Sequence, residues 1–189
     1  KNFNVIISNS INQAIMYSFL SMIFGKKNKI HILNEIYFQA PISLRRKLRP
    51  AVFKIFVKNV DYMRTSSNKE IDNYSTLLNI DKNRFWFLPF PTTISHPEII
   101  NTDENFILSA GKQFRDYATL IKATKDLDIK LVIISDNNSI KDIEVSEEVE
   151  VYKNIPKSHY LDFLSRSKLV VVPLANDFTS CGQITVLEA

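Results

Sequence analysis

The chain has 189 residues, enough for one large domain or two small ones. Hydrophobic residues make up 45%, ordinary for a globular chain, and 24 Lys and Arg against 20 Asp and Glu is too mild an excess to imply a nucleic-acid partner. The single cysteine, Cys181, excludes an intrachain disulfide framework and suits a reducing compartment, and no apolar run reaches the roughly eighteen residues that a membrane span needs.

Residues 4–8 (NVIIS) read as a strand. Ile11, Ala14, Ile15, Phe19, Met22 and Ile23 then recur at helical spacing up to Gly25, which can close the helix. Residues 29–34 (KIHILN) read as a second strand, in which His31 packs rather than catalyses. Glu35 follows directly, at the edge where parallel sheets place functional groups, although a solvated loop glutamate reads equally well. Residues 44–58 (LRRKLRPAVFKIFVK) are basic and amphipathic, with Pro50 placed to start a new helix. Such a segment either turns its apolar side to the core and its cations to water, or lies on an anionic bilayer. Residues 60–65 give a short strand. Ser66 or Ser67 then caps a helix through Leu78, with Glu70 in capping-box position, and residues 84–88 (RFWFL) form an aromatic strand. The proline-marked run 89–103 is the best domain boundary, dividing the chain into residues 1–92, a linker at 93–103 and residues 104–189.

After the boundary the order restarts with strand 105–109, turn 110–114, helix 115–127, strand 129–135, an acidic loop to Glu148, strand 149–152 and helix 156–167. Strands alternating with helices predict α/β domains built on parallel, doubly wound sheets. Residues 169–172 (LVVV) read as a strand buried on both faces. Pro173 ends it and a polar loop follows. Ser180 then stands three residues before Gln183, a capping-box spacing that opens a helix carrying Ile184, Leu187 and Glu188.

Chemistry concentrates at two places. The chain has only three glycines, Gly25, Gly111 and Gly182, and the last two each follow a predicted strand. Gly111 ends a strand in a tight turn, and Lys112 and Arg115 bring two cations beside the next helix, a pattern that suits a diphosphate but is also that of cations solvating a loop. Gly182 lets a phosphate approach the backbone, and Glu188 shares a face with Cys181, Ile184 and Thr185, where its carboxylate can accept from sugar or ribose hydroxyls. A well-capped crossover helix with a solvated glutamate is the plainer reading of that stretch. No Gly-x-Gly-x-x-Gly and no Walker-type Gly-Lys-Ser/Thr occurs, which argues against a dinucleotide-dependent oxidoreductase and an ATPase. His31, His96 and His159 lack metal-ligand spacing, and no Asp-x-Asp is present, so no metal is expected. Cys181 has no evident His partner and reads as a small turn residue rather than a nucleophile.

VVVPL, a polar loop and SCGQITVLEA resemble the donor-site segment of retaining glycosyltransferases of family four (glycosyl transferases group 1), which have the GT-B fold of two Rossmann-like domains. That family usually carries two glutamates separated by seven residues, the second in a Leu-Glu-Ala context. Glu188 matches the second, while Ser180 stands where the first would be, as in a branch with Ser-Gly-Gln or Cys-Gly-Gln there. The family also has an Arg after the first glycine and a Lys at the helix start; Lys112 and Arg115 match with the types exchanged and the loop two residues shorter. The resemblance covers nearly the whole chain. It implies the later part of an acceptor-side domain (1–92), the linker, and a donor-binding domain (104–189) incomplete at its C-terminus, so the chain reads as a fragment that turns over nothing alone.

The resemblance further implies hexosyl transfer from a nucleotide sugar to a sugar or lipid-linked acceptor with retained configuration, in cell-surface polysaccharide or glycolipid synthesis. Neither cofactor nor metal takes part, and the enzyme works in the cytoplasm or peripherally on the inner membrane face through residues 44–58. Lys112, Arg115 and Glu188 would be catalytic. Gly111, Ser180, Cys181, Gly182, Gln183 and Thr185 would meet the donor, with Asn154 and Ile155 near its base, and Glu35 would lie on the acceptor side. Two alternatives remain open at this point: a non-catalytic GT-B module that binds a nucleotide, a membrane or a partner subunit, and a nucleotide-sugar epimerase of similar fold.

Overall fold

The computed structural model describes residues 3–25, 29–39, 43–92, 94, 100, 104–141, 143–146, 148–175 and 178–189. The chain divides into two units, Lys1–Pro89 with Phe178–Ser180, and Phe90–Asp177 with Cys181–Ala189. The linker expected at 93–103 lies almost wholly outside the described residues, as does His96.

The first unit alternates β1 (Val5–Ser8), α1 (Ile11–Phe24), β2 (Ile30–Leu33), α2 (Leu44–Phe56), β3 (Tyr62–Thr65), α3 (Asn68–Leu78) and β4 (Phe85–Phe87). Its strands are parallel in the order β1-β2-β3-β4, in a register that sets Ile7, Ile32 and Tyr62 side by side. Each crossover moves the same way, so right-handed connections put all three helices on one face. Ile11 and Ala14 of α1, Phe53 of α2 and Tyr74 and Leu78 of α3 accordingly share one core with Leu33, Met63 and Phe85 of the sheet. On the other face Val5, Ile7, Ile30, Tyr62 and Trp86 are exposed.

Local signals account for most helix ends. The Ser10 hydroxyl accepts from Gln13 N–H at 3.4 Å to open α1, and Gly25, at φ +79°, closes it. At α3 the Ser67 hydroxyl accepts from Glu70 N–H at 3.2 Å while Glu70 Oε2 accepts from Ser66 N–H at 2.8 Å, a capping box shifted by one residue on its return bond. Helix α2 departs from expectation: it runs unbroken through Pro50, which starts nothing. Ser43 caps it, its hydroxyl accepting from Arg46 N–H, so Pro50 lies on the second turn, buried, where it removes one backbone bond without ending the helix. His31 is fully buried, with Nε2 2.8 Å from Ser8 Oγ and Nδ1 3.0 Å from the Asn59 carbonyl, a satisfied core histidine.

The second unit contains β5 (Phe106–Ala110), α4 (Tyr117–Thr124), β6 (Lys130–Ser135), β7 (Val149–Lys153), α5 (Lys157–Arg166), β8 (Leu169–Val170) and α6 (Gln183–Glu188). All four strands are parallel, in the order β7-β6-β5-β8. Ile107, Leu131 and Ile133 pack with Tyr117 and Leu120 of α4 on one face. Phe106, Leu108, Val132 and Ile134 pack with Tyr160, Phe163 and Leu164 of α5 on the other, which makes the sheet doubly wound.

Two elements differ from the sequence reading. Strand β8 is shorter than 169–172 and is not buried on both faces; it pairs only with β5, and Leu169 is exposed. Helix α4 starts at Tyr117 rather than Arg115. Asp116 caps it, accepting from Thr119 N–H at 3.0 Å, and its own N–H donates to the Pro173 carbonyl at 3.0 Å, so the 114–116 backbone pairs with 173–175 instead of coiling.

Candidate functional site

The strand order fixes where a ligand can sit. From β5 the chain steps outward to β6 and β7, then returns to place β8 on the opposite side of β5. The reversal between β5 and β8 is a switch point, and doubly wound sheets bind ligands in the crevice outside the carboxyl ends of the strands at such a point, because the connections leave in opposite directions there.

Gly111 leaves β5 into that crevice at φ +137°, and its carbonyl accepts from Tyr117 Oη at 2.6 Å and from Ser135 Oγ at 2.7 Å. Burial, the largest cause, pushes the Tyr117 phenol up, so it keeps the proton that it donates here. Arg115 folds back over the same turn, with Nε donating to the Ala110 carbonyl at 3.2 Å and Nη1 to the Gln113 carbonyl at 2.8 Å. The backbone angle favours glycine at position 111, and a Cβ there would stand 2.7 Å from Arg115 Cζ and push the guanidinium out of its place. Gly182, left-handed at φ +82°, is the N-cap of α6. A Cβ there would meet Val172 Cγ1 at 2.6 Å and Arg115 Nη2 at 3.4 Å. One guanidinium thus spans both glycine corners, and Thr185 Oγ1 ties α6 to the end of β5 by donating to the Ala110 carbonyl at 3.4 Å.

The capping box expected between Ser180 and Gln183 does not form. Gly182 occupies the N-cap, and the Ser180 N–H donates instead to Glu70 Oε1 at 2.7 Å within the first unit. Glu70 is buried there beside Tyr74 and Thr179. Burial first and the Glu70 charge second push the Tyr74 phenol well above its usual range.

Two cations line the second unit's crevice edge. Lys112 Nζ reaches Asn154 Oδ1 at 3.5 Å, and Asn154 leaves β7 at φ +53° with its N–H on the Ser135 carbonyl at 3.0 Å. Asp136 is held below the usual carboxylate range, chiefly by the Ser139 hydroxyl and N–H and further by Lys112. Glu188 is not solvated: its side chain is 3% exposed, and Lys157 Nζ sits 2.8 Å from Oε1. Burial first and the Glu188 charge second raise the Tyr160 phenol. Sequence reasoning missed Lys157. Its signal is a cation on the first turn of α5, where the helix dipole disfavours one unless an anion is near.

The remaining expected residues are less convergent. Ile155 packs against the core under α5, Cys181 and Gln183 are half-buried, Ser180 belongs to the first unit, and Glu35 stands exposed just after β2. Among the described residues no three His, Cys, Asp or Glu side chains gather as a metal set, and no helix is long and apolar enough to cross a membrane.

Solved structures share this arrangement. Anabaena HepE in complex with UDP and glucose superposes with a TM-score of 0.75 at 10% identity, over 98% of this chain and 56% of that one. The lipopolysaccharide outer core galactosyltransferase WaaB matches with a TM-score of 0.60 at 13% identity, over 98% of this chain and 53% of its own. TarM matches with a TM-score of 0.60 at 13% identity, over 89% of this chain and 36% of its own. These neighbours are GT-B glycosyltransferases, and at such identity the likeness fixes the fold: two parallel-sheet α/β units of the GT-B kind. The chain spans little more than half of HepE. No family model matches it, and no curated protein sequence matches it.

Proposed function

We propose that this chain is part of a glycosyltransferase that seats a nucleotide sugar at the β5–β8 crevice and passes the sugar to an acceptor with retained configuration. One observation carries the reading: the Arg115 guanidinium lies beside both glycine corners at the switch point of a doubly wound sheet. HepE, which has the same fold, was crystallised with UDP and glucose.

In this reading the diphosphate lies against the Arg115 guanidinium, which the missing side chains of Gly111 and Gly182 let pack between the two corners. Lys112 and Arg115 neutralise the charge that builds on the leaving phosphate as the glycosidic bond breaks. Because Arg115 is already anchored to two carbonyls, its guanidinium is oriented before the donor arrives. Asn154 meets the base side of the donor. Glu188, held by Lys157, offers its remaining lone pairs to ribose or sugar hydroxyls. No carboxylate stands at position 180, so Glu188 takes this role alone. The acceptor is a sugar or a lipid-linked sugar on the Glu35 side, within cell-surface polysaccharide or glycolipid synthesis.

Calorimetric titration of the chain with UDP, UDP-glucose and uridine tests this. UDP and UDP-glucose should bind, and Lys112→Ala and Arg115→Ala should each weaken them by about tenfold or more, the worth of a charge-assisted hydrogen bond. Uridine, which lacks the phosphates, should be indifferent to both changes. Equal UDP affinity in the variants, or none in the parent chain, removes the basis of the reading.

A further inference from the structure

Among the described residues, three that are not glycine have positive φ: Asn79 at +54°, Phe114 at +51° and Asn154 at +53°. Asparagine visits the left-handed conformation readily, because its short polar side chain bonds locally. Phenylalanine does not, and a bulky residue held there is a steric outlier that the surrounding structure must enforce. Asn79 closes α3 and Asn154 follows β7, ordinary places for such a turn. Phe114 stands instead inside the corner between Gly111 and Arg115.

The enforcing contacts lie on either side of the next residue. The Ala175 N–H donates to the Phe114 carbonyl at 2.9 Å, and the Asp116 N–H donates to the Pro173 carbonyl at 3.0 Å. Between these two bonds Arg115 and Leu174 face each other as an antiparallel bridge. Bracketed in this way they form a non-hydrogen-bonded pair, the kind whose side chains stand close together on one side of the ribbon. Both side chains accordingly reach the same place. A Cβ on Gly182 would lie 3.4 Å from Arg115 Nη2 and 3.5 Å from Leu174 Cδ2.

The left-handed residue is what makes this bridge accessible. A right-handed residue at 114 would carry the chain straight on into the coil of α4, leaving Arg115 on the first turn of a helix. The turn at Phe114 instead delivers Arg115 extended, and Asp116 then starts α4 one step later. From that extended position Arg115 folds back, Nε onto the Ala110 carbonyl and Nη1 onto the Gln113 carbonyl. The other cation of the corner is held without strain: the Lys112 carbonyl accepts from Ser139 Oγ at 2.6 Å. The ring of Phe114 does not explain the strain either. Phe114 is half-buried and belongs to neither core cluster of the second unit among the described residues, so position 114 contributes its backbone conformation.

We infer that Phe114 is a positioning residue, whose left-handed backbone, locked by the pairing of 114–116 with 173–175, aims the Arg115 guanidinium at the phosphate site. The inference rests on the sugar-transfer reading for what Arg115 binds. Three variants test it. Phe114→Val brings a β-branched side chain that resists positive φ, whereas Phe114→Asn and Phe114→Gly accept it. In nitrogen-15 NMR of the chain without nucleotide, the Arg115 Nε–H should exchange slowly with solvent. That protection should be lost in Phe114→Val and rescued in Phe114→Asn and Phe114→Gly. By calorimetry Phe114→Val should weaken UDP by about tenfold or more, as Arg115→Ala does, and the Asn and Gly variants should restore the affinity. Phe114→Val combined with Arg115→Ala should bind no more weakly than Arg115→Ala alone, because the first change acts only through the second residue.

Arg115 Nε–H protection or UDP affinity retained in Phe114→Val overturns the inference alone, provided that Arg115→Ala does weaken UDP. So does a loss in Phe114→Asn and Phe114→Gly equal to that in Arg115→Ala, which would assign the role to the ring. UDP affinity unmoved by Arg115→Ala overturns the sugar-transfer reading and this inference together.

Discussion

Two sheets of four parallel strands lie in one chain, and their strand orders differ. The first runs β1-β2-β3-β4 without turning back; the second runs β7-β6-β5-β8 and reverses beside β5. Only a reversal parts neighbouring connections and opens a crevice at the carboxyl edge, so among the described strands only the second sheet offers one. The glycines follow the same division. Gly25, in the first unit, has nothing within 4 Å of where a Cβ would go, whereas Gly111 and Gly182 are hemmed in by Arg115, Val172 and Leu174. Glycine in the first unit ends a helix, and glycine in the second shapes a site.

The largest test of this division is its independence. Leu108 and Met63 are fully buried, one in the middle of each sheet. Leu108→Ala and Met63→Ala should each cost about 2–5 kcal/mol, from lost burial and an unfilled cavity. Hydrogen exchange read by mass spectrometry should show Leu108→Ala loosening β5–β7 peptides while β1–β3 peptides keep their protection, and Met63→Ala doing the reverse. Equal loss in both sheets from either change would mean that the two units unfold as one.

A sharper comparison sets glycine against glycine. Gly111→Ala places a methyl against the Arg115 guanidinium at a strained angle, costing about 1–3 kcal/mol and lowering UDP affinity by at least about tenfold. Gly25→Ala, at φ +79° with open space, should cost about 1 kcal/mol and leave UDP affinity unchanged. Thermal melting and calorimetry on the two variants separate these outcomes. Equal nucleotide affinity in both would remove the special standing of the β5 corner.

These corners were readable in the sequence because glycine is scarce, Gly111 directly follows the FILSA run, and Gly182 follows the LVVV run after a polar loop. The alternation of strands and helices was readable for a related reason: strand runs such as FILS and LVIIS are too short for helices and too apolar for loops. What sequence could not show is partner choice at long range. Ser180 and Gln183 have capping-box spacing, yet the Ser180 N–H is taken by Glu70, 110 positions earlier. Glu188 looks solvated by spacing alone, yet Lys157, 31 positions earlier, holds it. The exposure of β8 depends on having only β5 as a neighbour, and the sequence of LVVV is silent about that. The outward Leu48 and Val52 of α2 were visible as apolar, but periodicity does not reveal which of two apolar faces meets the core.

The two buried carboxylates extend the comparison at smaller magnitude. Glu70 ties Ser66, Tyr74, Thr179 and Ser180 together in the first unit; Glu188 pairs with Lys157 in the second. Glu70→Gln and Glu188→Gln keep the shape and remove the charge, so each should cost about 1–2 kcal/mol in its own unit. Only Glu188→Gln should also weaken UDP-glucose relative to UDP, because in the proposed reading its carboxylate holds sugar or ribose hydroxyls. Titration of both ligands against both variants decides this, and the same UDP-glucose to UDP ratio in the two would leave Glu188 a purely structural residue.

The smallest effect is a dependence on alkaline pH that belongs to the first unit's tyrosine. Tyr74 is fully buried, and desolvation, then the Glu70 charge, raise its phenol above the ordinary value of 10.0. In the unfolded chain that phenol loses its proton near pH 10, while the folded chain retains it. Above pH 10 the native state therefore binds more protons than the unfolded one, and stability falls as pH rises; below pH 10 the two bind equally and the group contributes no slope. The limiting slope is about 1.4 kcal/mol per pH unit for one such group. Urea midpoints of the first unit at pH 9, 10 and 11 should hold steady and then drop. Tyr74→Phe, which has no proton to lose, should flatten the drop while lowering the midpoint at neutral pH, because Thr179 and Glu70 lose a hydroxyl partner. An unchanged alkaline slope in Tyr74→Phe would show that burial and the Glu70 charge do not hold this phenol protonated in solution, and the cluster that holds Phe178–Ser180 in the first unit would then need a different anchor.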